Sequence, residues 1–118
     1  MNKKELSQEI NHLHANICSA ISDPTRILLL YAIAEETRNV NSLAEALEIS
    51  QSAASRHLKV LRERGIIEAQ RDGTQVLYTL TDERYIKALN LLREVMLDRM
   101  VEQVELINHS HIIEKGSL

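Results

Sequence analysis

The chain has 118 residues, a length that predicts one domain with a modest hydrophobic core. Hydrophobic residues make up 44% of the chain, which argues against disorder, and an aromatic share of 3% leaves aliphatic side chains to build the core. No apolar run approaches the ~18 residues of a membrane span, and the first residues are too polar for a signal peptide. The single cysteine, Cys18, cannot form an internal disulfide, so we expect a cytoplasmic protein without a membrane partner.

The net charge is −3, but the positive charge is concentrated in one segment. Between Gln51 and Arg71, five cationic side chains stand against two carboxylates, so this segment carries +3 and the remainder −6. A locally basic element on an acidic chain can bind phosphate with strongly salt-dependent affinity. The charged residues of the segment are Arg56, Lys59, Arg62, Glu63, Arg64, Glu68 and Arg71.

The first half of the chain predicts two helices. From Lys3 to Ile21 the apolar residues are spaced by three or four, which indicates an amphipathic helix. Asp23 is a good N-cap and Pro24 suits the first helical position, so a second helix is expected from Thr25 to about Glu35. This second helix is apolar nearly all round, as is typical of a central, buried helix.

The middle of the chain predicts a helix-turn-helix over residues 42–64. Residues 37–41 read as a loop, and Ser42-Leu43-Ala44-Glu45 matches a capping box that opens a short helix to about Leu47. A tight turn over residues 48–50 follows, with Ser50 as the next N-cap. Two short helices joined by about three residues are typical of this motif.

The helix from Ser50 to Gly65 has an apolar face formed by Ala54, Leu58 and Leu61, while its other face carries hydrogen-bond donors and positive charge. Gly65 suits the position just after the helix end. Strands over 66–71 and 74–80 with an Asp72-Gly73 turn then predict a hairpin. A long last helix is expected from about Arg84 to Ile112 or beyond, with an apolar stripe formed by Leu89, Leu92, Met96, Met100, Val104 and Ile107.

This order of elements, with four motifs, resembles the ArsR/SmtB family of bacterial and archaeal winged-helix repressors over about residues 13–100. The motifs are Ser22-Asp23-Pro24-Thr25-Arg26, Ser42-Leu43-Ala44-Glu45, Ser55-Arg56-His57-Leu58-Lys59-Val60-Leu61 and Gly65-Ile66-Ile67.

The resemblance implies a mainly α fold with a small β-hairpin wing, that is, a winged helix-turn-helix. It implies one DNA-binding domain over 1–118, with dimerisation helices at 1–21 and 84–115 and the wing at 66–80. It also implies a homodimeric repressor that an inducer releases from DNA.

The solvent side of the helix from Ser50 to Gly65 is predicted to contact DNA. We expect Gln51 and Arg56 to read base edges, since Gln pairs bidentately with adenine and Arg with guanine. His57 lies between the core-facing and solvent-facing sides, so a structural hydrogen bond and a DNA contact are both open. The other predicted DNA contacts are Ser52, Ser55, Lys59 and Arg62 on the helix and Arg71, Thr74 and Gln75 at the hairpin tip.

The first and last helices carry more apolar surface than one small winged helix can cover, which predicts a homodimer. Pairing would place two recognition helices about 34 Å apart and so predicts a palindromic operator. The alternative is that both helices pack only within one protomer. The predicted dimer contacts are Leu6, Ile10, Leu13, Ile17, Leu89, Leu92, Met96, Met100 and Val104.

No metal motif of the family is present, so we expect neither a metal nor another cofactor, and the inducer is not identified. Asn39-Val40-Asn41 stands where metal sensors of the family carry Cys-Val-Cys, and amides lack the thiolates that soft metals prefer. Asp82-Glu83-Arg84 likewise fails to match the family's metal-site pattern on the last helix. An open alternative is a metal-responsive repressor whose ligands come from two pairs, one on the first helix, with His12 nearby, and one near the end of the last helix. These residues are His14, Cys18, His109 and His111.

The sequence agrees less well with an enzyme or a protein-binding module than with a DNA-binding protein. An enzyme is not expected, because there is no nucleophile–base pattern and no glycine-rich phosphate loop, with only three glycines in the chain. A winged helix that binds protein without DNA is a second alternative, which the basic recognition helix disfavours. The sequence therefore predicts a sequence-specific regulator that binds double-stranded DNA and represses transcription.

Overall fold

The computed structural model describes the backbone of residues 1–116 and the side chains of residues 1–109. It contains two compact units, residues 1–83 and a second unit that begins at Arg84. The elements of the first unit are α1 (Lys3–Leu13), a π-helical turn (His14–Cys18), α2 (Ser19–Ile21), α3 (Pro24–Glu35), α4 (Val40–Leu47), α5 (Gln51–Glu63), β1 (Ile67–Asp72) and β2 (Gln75–Leu80). The second unit is one helix, α6 (Arg84–Gly116).

The first predicted helix is present, but it is interrupted by the π-helical turn between α1 and α2. The Asn16 amide donates to the carbonyl of His12 at 2.9 Å, and the Ser19 hydroxyl donates to the carbonyl of Ala15 at 2.6 Å. Such side-chain bonds to the preceding turn compete with the main-chain ladder. They account for the local widening, which the apolar spacing alone does not show.

The predicted start of α3 is confirmed. Asp23 is its N-cap and accepts hydrogen bonds from the backbone N–H groups of Thr25 at 2.8 Å and Arg26 at 3.3 Å, while Pro24 opens the helix. The predicted central position is confirmed for one face of α3, where three aliphatic side chains are buried, whereas Leu28 on the same helix is 57% exposed. The buried side chains are Leu29, Leu30 and Ile33.

The predicted start of α4 is wrong by several residues. The helix begins at Val40 with Asn39 as its N-cap, and the Asn39 side-chain oxygen (Oδ1) accepts the backbone N–H of Ser42 at 2.9 Å. Asn caps helices as well as Ser does, so the earlier residue takes the role and Ser42 lies inside the helix. The predicted loop over residues 37–41 is correspondingly shorter.

The hairpin is confirmed with its turn moved by one residue. Its antiparallel register runs from the Ile67–Leu80 pair to the Asp72–Gln75 pair, which leaves Gly73 and Thr74 in the turn instead of Asp72 and Gly73. Gly73 has a φ of 64°, as the first loop position of a tight hairpin requires. Glycine is the residue that adopts this φ without strain, and so it fixes the turn.

The core of the first unit is entirely aliphatic, as the composition predicts. It draws on every helix from α2 to α5 and on the start of the hairpin. Within residues 1–109 its buried members are Ala20, Leu29, Leu30, Ile33, Leu43, Ala44, Ala54, Leu58, Leu61, Ile66 and Ile67.

The long last helix is confirmed as α6. Leu89 is buried, whereas most other apolar side chains of α6 are exposed through residue 107. Among residues 1–116, no single helix is long and apolar enough to cross a membrane. The helices Lys3–Ile21 and Pro24–Glu35 reach that length and composition only as a pair bent by 81°.

Candidate nucleic-acid interface

Helix α5 packs against the core through the three side chains that the sequence predicts for its inner face. Ala54, Leu58 and Leu61 are each at most 1% exposed. The Ser50 hydroxyl caps the helix by accepting the backbone N–H of Ala53 at 3.0 Å, and Gly65 follows the helix with a φ of 74°. Both ends and the rotation of α5 therefore agree with the sequence prediction.

The opposite face of α5 is exposed and rich in donors. Gln51 and Arg56 are exposed. The ion pairs that Arg38 and Lys59 make with glutamates do not involve Arg56. Lys59 lies 4.0 Å from Glu63, but both side chains are more than half exposed, so this pair is weak. His57 is half-buried, while the remaining predicted DNA contacts are all exposed, namely Ser52, Ser55, Arg62, Arg71, Thr74 and Gln75.

The hairpin is fixed at its base to the end of α5. Thr81, just after β2, donates its backbone N–H to the Ile66 carbonyl at 3.0 Å and its hydroxyl to the Gly65 carbonyl at 2.7 Å. The Tyr78 N–H donates to the Arg38 carbonyl at 3.0 Å, which adds a bridge from the segment before α4. The hairpin is thereby held beside the helix-turn-helix.

The tip of the hairpin is also tied to α4. The Asn39 amide donates to the Gln75 side-chain oxygen at 2.9 Å, while its own oxygen caps α4. Sequence reasoning assigned Gln75 to DNA and treated Asn39 only as the missing thiolate of a metal site. The link between them was missed, because no local pattern pairs residues 36 positions apart.

A second missed feature is a polar cluster where α2, α3 and α5 meet. Arg26 donates through Nε to the Ala20 carbonyl and through Nη2 to the Ser19 carbonyl at 3.3 Å, and its Nη1 lies 3.3 Å from His57 Nδ1. His57 therefore makes the structural contact that the sequence left open. The one signal in the sequence was the Ser22–Arg26 motif, whose Arg had no assigned role.

The carboxyl of Asp23 belongs to the same cluster. Its partial burial opposes ionisation, but hydrogen bonds from the backbone N–H groups of Arg26 and Thr25 more than offset this. The neighbouring charge of Arg26 acts in the same direction, so the pKa of Asp23 lies below its ordinary 3.8.

The predicted dimer contacts are mostly exposed in the single chain. On α1, Leu6, Ile10 and Leu13 are each exposed by nearly half, and Ile17 is half-buried. Leu89 is only 7% exposed, so it has little surface to offer a partner. The other four, all more than half exposed on α6, are Leu92, Met96, Met100 and Val104.

The residues of the metal alternative do not form a cluster in the described part of the chain. Among residues 1–109, no group of three or more His, Cys, Asp or Glu side chains could hold a metal ion. His14 and His109 are exposed and Cys18 is half-buried, while the side chain of His111 lies outside the described residues.

Comparison with known proteins gives a family and a fold. The model of the family described as "Bacterial regulatory protein, arsR family" matches residues 23–69, which cover α3, α4, α5 and the start of β1. The biofilm growth-associated repressor of Xylella fastidiosa is 32% identical over 92 residues, which are 78% of this chain and 80% of that protein. A Synechocystis protein named as a transcriptional repressor SmtB homolog is 38% identical over 81 residues, 69% of this chain and 59% of that protein.

Among solved structures, a winged helix-turn-helix DNA-binding domain from Mycobacterium bovis superposes with a TM-score of 0.71 at 23% identity. The match covers 85% of this chain and 91% of that domain, whose solution structure is homodimeric. It confirms the winged helix-turn-helix fold. From the family model and the repressors of Xylella and Synechocystis, we conclude that this chain belongs to the arsR family of bacterial regulatory proteins.

Proposed function

We propose that this protein is a transcriptional repressor that binds a specific double-stranded DNA sequence as a homodimer. The observation that carries the proposal is the exposed donor face of α5, presented by a capped helix whose inner face is locked into the core. A helix held in this way can enter a major groove, where donors near its N-terminus reach base edges. The names of the Xylella and Synechocystis relatives support repression.

Different residues of α5 and of the hairpin would contact different parts of the DNA. Gln51 and Arg56, in the first two turns, would contact base edges, with Ser52 and Ser55 reaching bases or phosphates. Lys59 and Arg62 lie further along the helix and would contact phosphates. At the hairpin tip, the contacts would come from Arg71, Thr74 and Gln75.

Dimerisation is proposed from the exposed apolar stripes of α1 and α6. Large side chains such as Leu6 and Ile10 on α1 and Met96 and Met100 on α6 are about half exposed in the single chain. An exposed apolar stripe along a helix, as on α1 and on α6, is typical of a protein interface. Two protomers related by a twofold axis would place their α5 helices on two half-sites of an inverted repeat, about 34 Å apart. A repressor that binds the chromosome would work in the cytoplasm.

A competition experiment tests this function. A fluorescent duplex that covers the DNA upstream of the gene is bound by the protein, and unlabelled duplexes of the same or of scrambled sequence are added at equal ionic strength. The proposal predicts displacement by the matched duplex at a concentration at least about 1,000-fold lower than by the scrambled one, as is typical of specific binding. Equal displacement by both duplexes would contradict specific binding, and a monomer mass in sedimentation at micromolar concentration would contradict the dimer.

A further inference from the structure

We propose that Arg26 is a positioning residue for DNA binding, which sets the placement of α5 against the end of the first helix by holding His57. The inference rests on the proposed DNA-binding function and adds a residue outside the DNA-contacting face. Arg26 lies on the first turn of α3, and its guanidinium reaches backbone carbonyls on one side and a recognition-helix side chain on the other.

The contact with the first helix uses one edge of the guanidinium. Nε and Nη2 donate to the carbonyls of Ala20 and Ser19, two of the last carbonyls of the first helix. Carbonyls at a helix end lack the usual main-chain partner, and the Ser19 carbonyl also accepts the hydroxyl of the C-cap Ser22 at 2.8 Å. A cation at a helix C-terminus is also favoured by the helix dipole. Ala20 is fully buried, so this anchor lies at the edge of the core.

The contact with α5 uses the remaining nitrogen. Nη1 lies 3.3 Å from Nδ1 of His57, which stands between the predicted base contact Arg56 and the buried Leu58. The core contacts of α5 come from small and aliphatic side chains, which attract without strong directional preference. The Arg26–His57 contact adds a direction, so it restricts the rotation and tilt of the helix that carries Arg56.

The chemistry of the contact fixes which groups can replace it. A guanidinium can only donate, so a hydrogen bond at this contact requires His57 Nδ1 to accept and the ring proton to be on Nε2. Lys has a single nitrogen at the end of a flexible chain and cannot span the two carbonyls and the imidazole together. Asn places an oxygen close to the position of Nδ1, whereas the longer Gln places its amide nearer to Nε2.

The contact has a consequence for the dimer. The first helix carries the exposed stripe that would pair two protomers, and Arg26 joins the end of that helix to α5. The separation of the two α5 helices would then depend on Arg26. Loss of the link should weaken specific binding and reduce discrimination between operators whose half-sites are differently spaced.

The first experiment compares Arg26→Lys with Arg64→Lys, since Arg64 is an exposed arginine at the end of α5. Affinity is measured for a duplex selected from a random library by the wild-type protein, and for the same duplex with one base pair added between the half-sites. Loss of a hydrogen bond to a charged group predicts about tenfold weaker binding for Arg26→Lys and a smaller penalty for the added base pair. Arg64→Lys should bind like the wild type, and equal behaviour of the two variants would overturn the proposal.

The second experiment uses the pair His57→Asn and His57→Gln, which keeps the proposal testable if Arg26→Lys does not fold. We expect His57→Asn to retain affinity within about threefold and His57→Gln to lose about tenfold, because only Asn offers an acceptor near Nδ1. The double variant Arg26→Lys, His57→Gln should be no weaker than Arg26→Lys alone. Equal affinities of the Asn and Gln variants, or independent losses in the double variant, would contradict the inference.

The outcomes separate this inference from the proposed function. If the wild-type protein selects no sequence at all, the proposed function is wrong. If the wild type binds specifically and both sets of variants bind like it, only the role of Arg26 is wrong. Sedimentation and thermal unfolding of each variant show whether a loss of affinity reflects a loss of the dimer or of the fold.

Discussion

Substitution of Arg56 by Ala is expected to remove a base contact without disturbing the fold. Arg56 is exposed on α5, and the ion pairs of Arg38 and Lys59 do not involve it. Surface substitutions of this kind change the free energy of unfolding by no more than about 0.5 kcal/mol. The variant should therefore unfold at nearly the same urea concentration as the wild type, so its binding can be compared directly.

The size of the effect follows from the proposed geometry. A bidentate contact between Arg and a guanine is worth about 1–3 kcal/mol of discrimination, and a homodimer would make two of them. The expected loss is thus about 2–6 kcal/mol per dimer, which is about 30-fold to about 20,000-fold in affinity. The loss should be confined to the selected sequence, because nonspecific binding depends on phosphate contacts.

Fluorescence anisotropy with the selected duplex and with single base-pair variants measures this loss at constant salt. Arg64→Ala is the matched control, since it removes the same charge eight residues further along, at the C-cap of α5. We expect Arg56→Ala to lose its preference at one base pair in each half-site and Arg64→Ala to keep the wild-type preference. Unchanged affinity and unchanged base preference in Arg56→Ala would refute the assignment of Arg56 to the bases.

Three further predictions concern stability and salt. Leu61→Ala should lower the free energy of unfolding in urea by about 2–5 kcal/mol, because Leu61 is fully buried on the inner face of α5. A loss below about 1 kcal/mol would contradict this packing. Asn39→Ala should lower the free energy of unfolding by about 1 kcal/mol, because it removes the α4 cap and the hydrogen bond to the hairpin. Asn41 is exposed, so Asn41→Ala should leave the free energy of unfolding almost unchanged, and equal losses in the two variants would contradict the cap. Arg62→Ala should reduce the slope of log affinity against log salt by about 1 per protomer, and an unchanged slope would exclude a phosphate contact there.

The pH dependence of stability tests the Asp23 cap. Because the folded pKa of Asp23 lies below 3.8, its ionised form stabilises the fold above the unfolded pKa, and this contribution is lost as the pH falls through the folded pKa. The difference in unfolding free energy between the wild type and Asp23→Asn should be constant above about pH 5 and should shrink below about pH 4. A difference that stays the same down to pH 3 would show that the charge has no role.

The sequence predicted α5 correctly because several local rules agree there. Ser50 is a favoured N-cap, Gly65 a favoured C′ residue, and Ala54, Leu58 and Leu61 mark one face at helical spacing. The hairpin was predicted for the same reason, with its turn displaced by one residue. Its position depends on which residue takes a positive φ, and in the structure that residue is Gly73 alone.

The parts that the sequence did not show depend on partners distant in the chain. Asn39 and Ser42 can both begin a helix, and the hydrogen bond from Asn39 to Gln75 accompanies the earlier start. Arg26 and His57 are 31 positions apart, so no periodicity or capping rule links them. Arg26 stood in a motif of the family, but its partners became visible only when α2, α3 and α5 were placed together.

Selection of duplexes from a random library by the wild-type protein tests the central claim most directly. Bound DNA is recovered at a salt concentration that suppresses phosphate-only binding and is then sequenced. The account predicts an enriched inverted repeat whose half-site centres are about one helical turn apart. Each half-site should contain an enriched guanine, and this preference should be absent from the DNA selected by Arg56→Ala. Recovery of DNA with no enriched sequence, or of a motif that is unchanged by substitutions on α5, would contradict it.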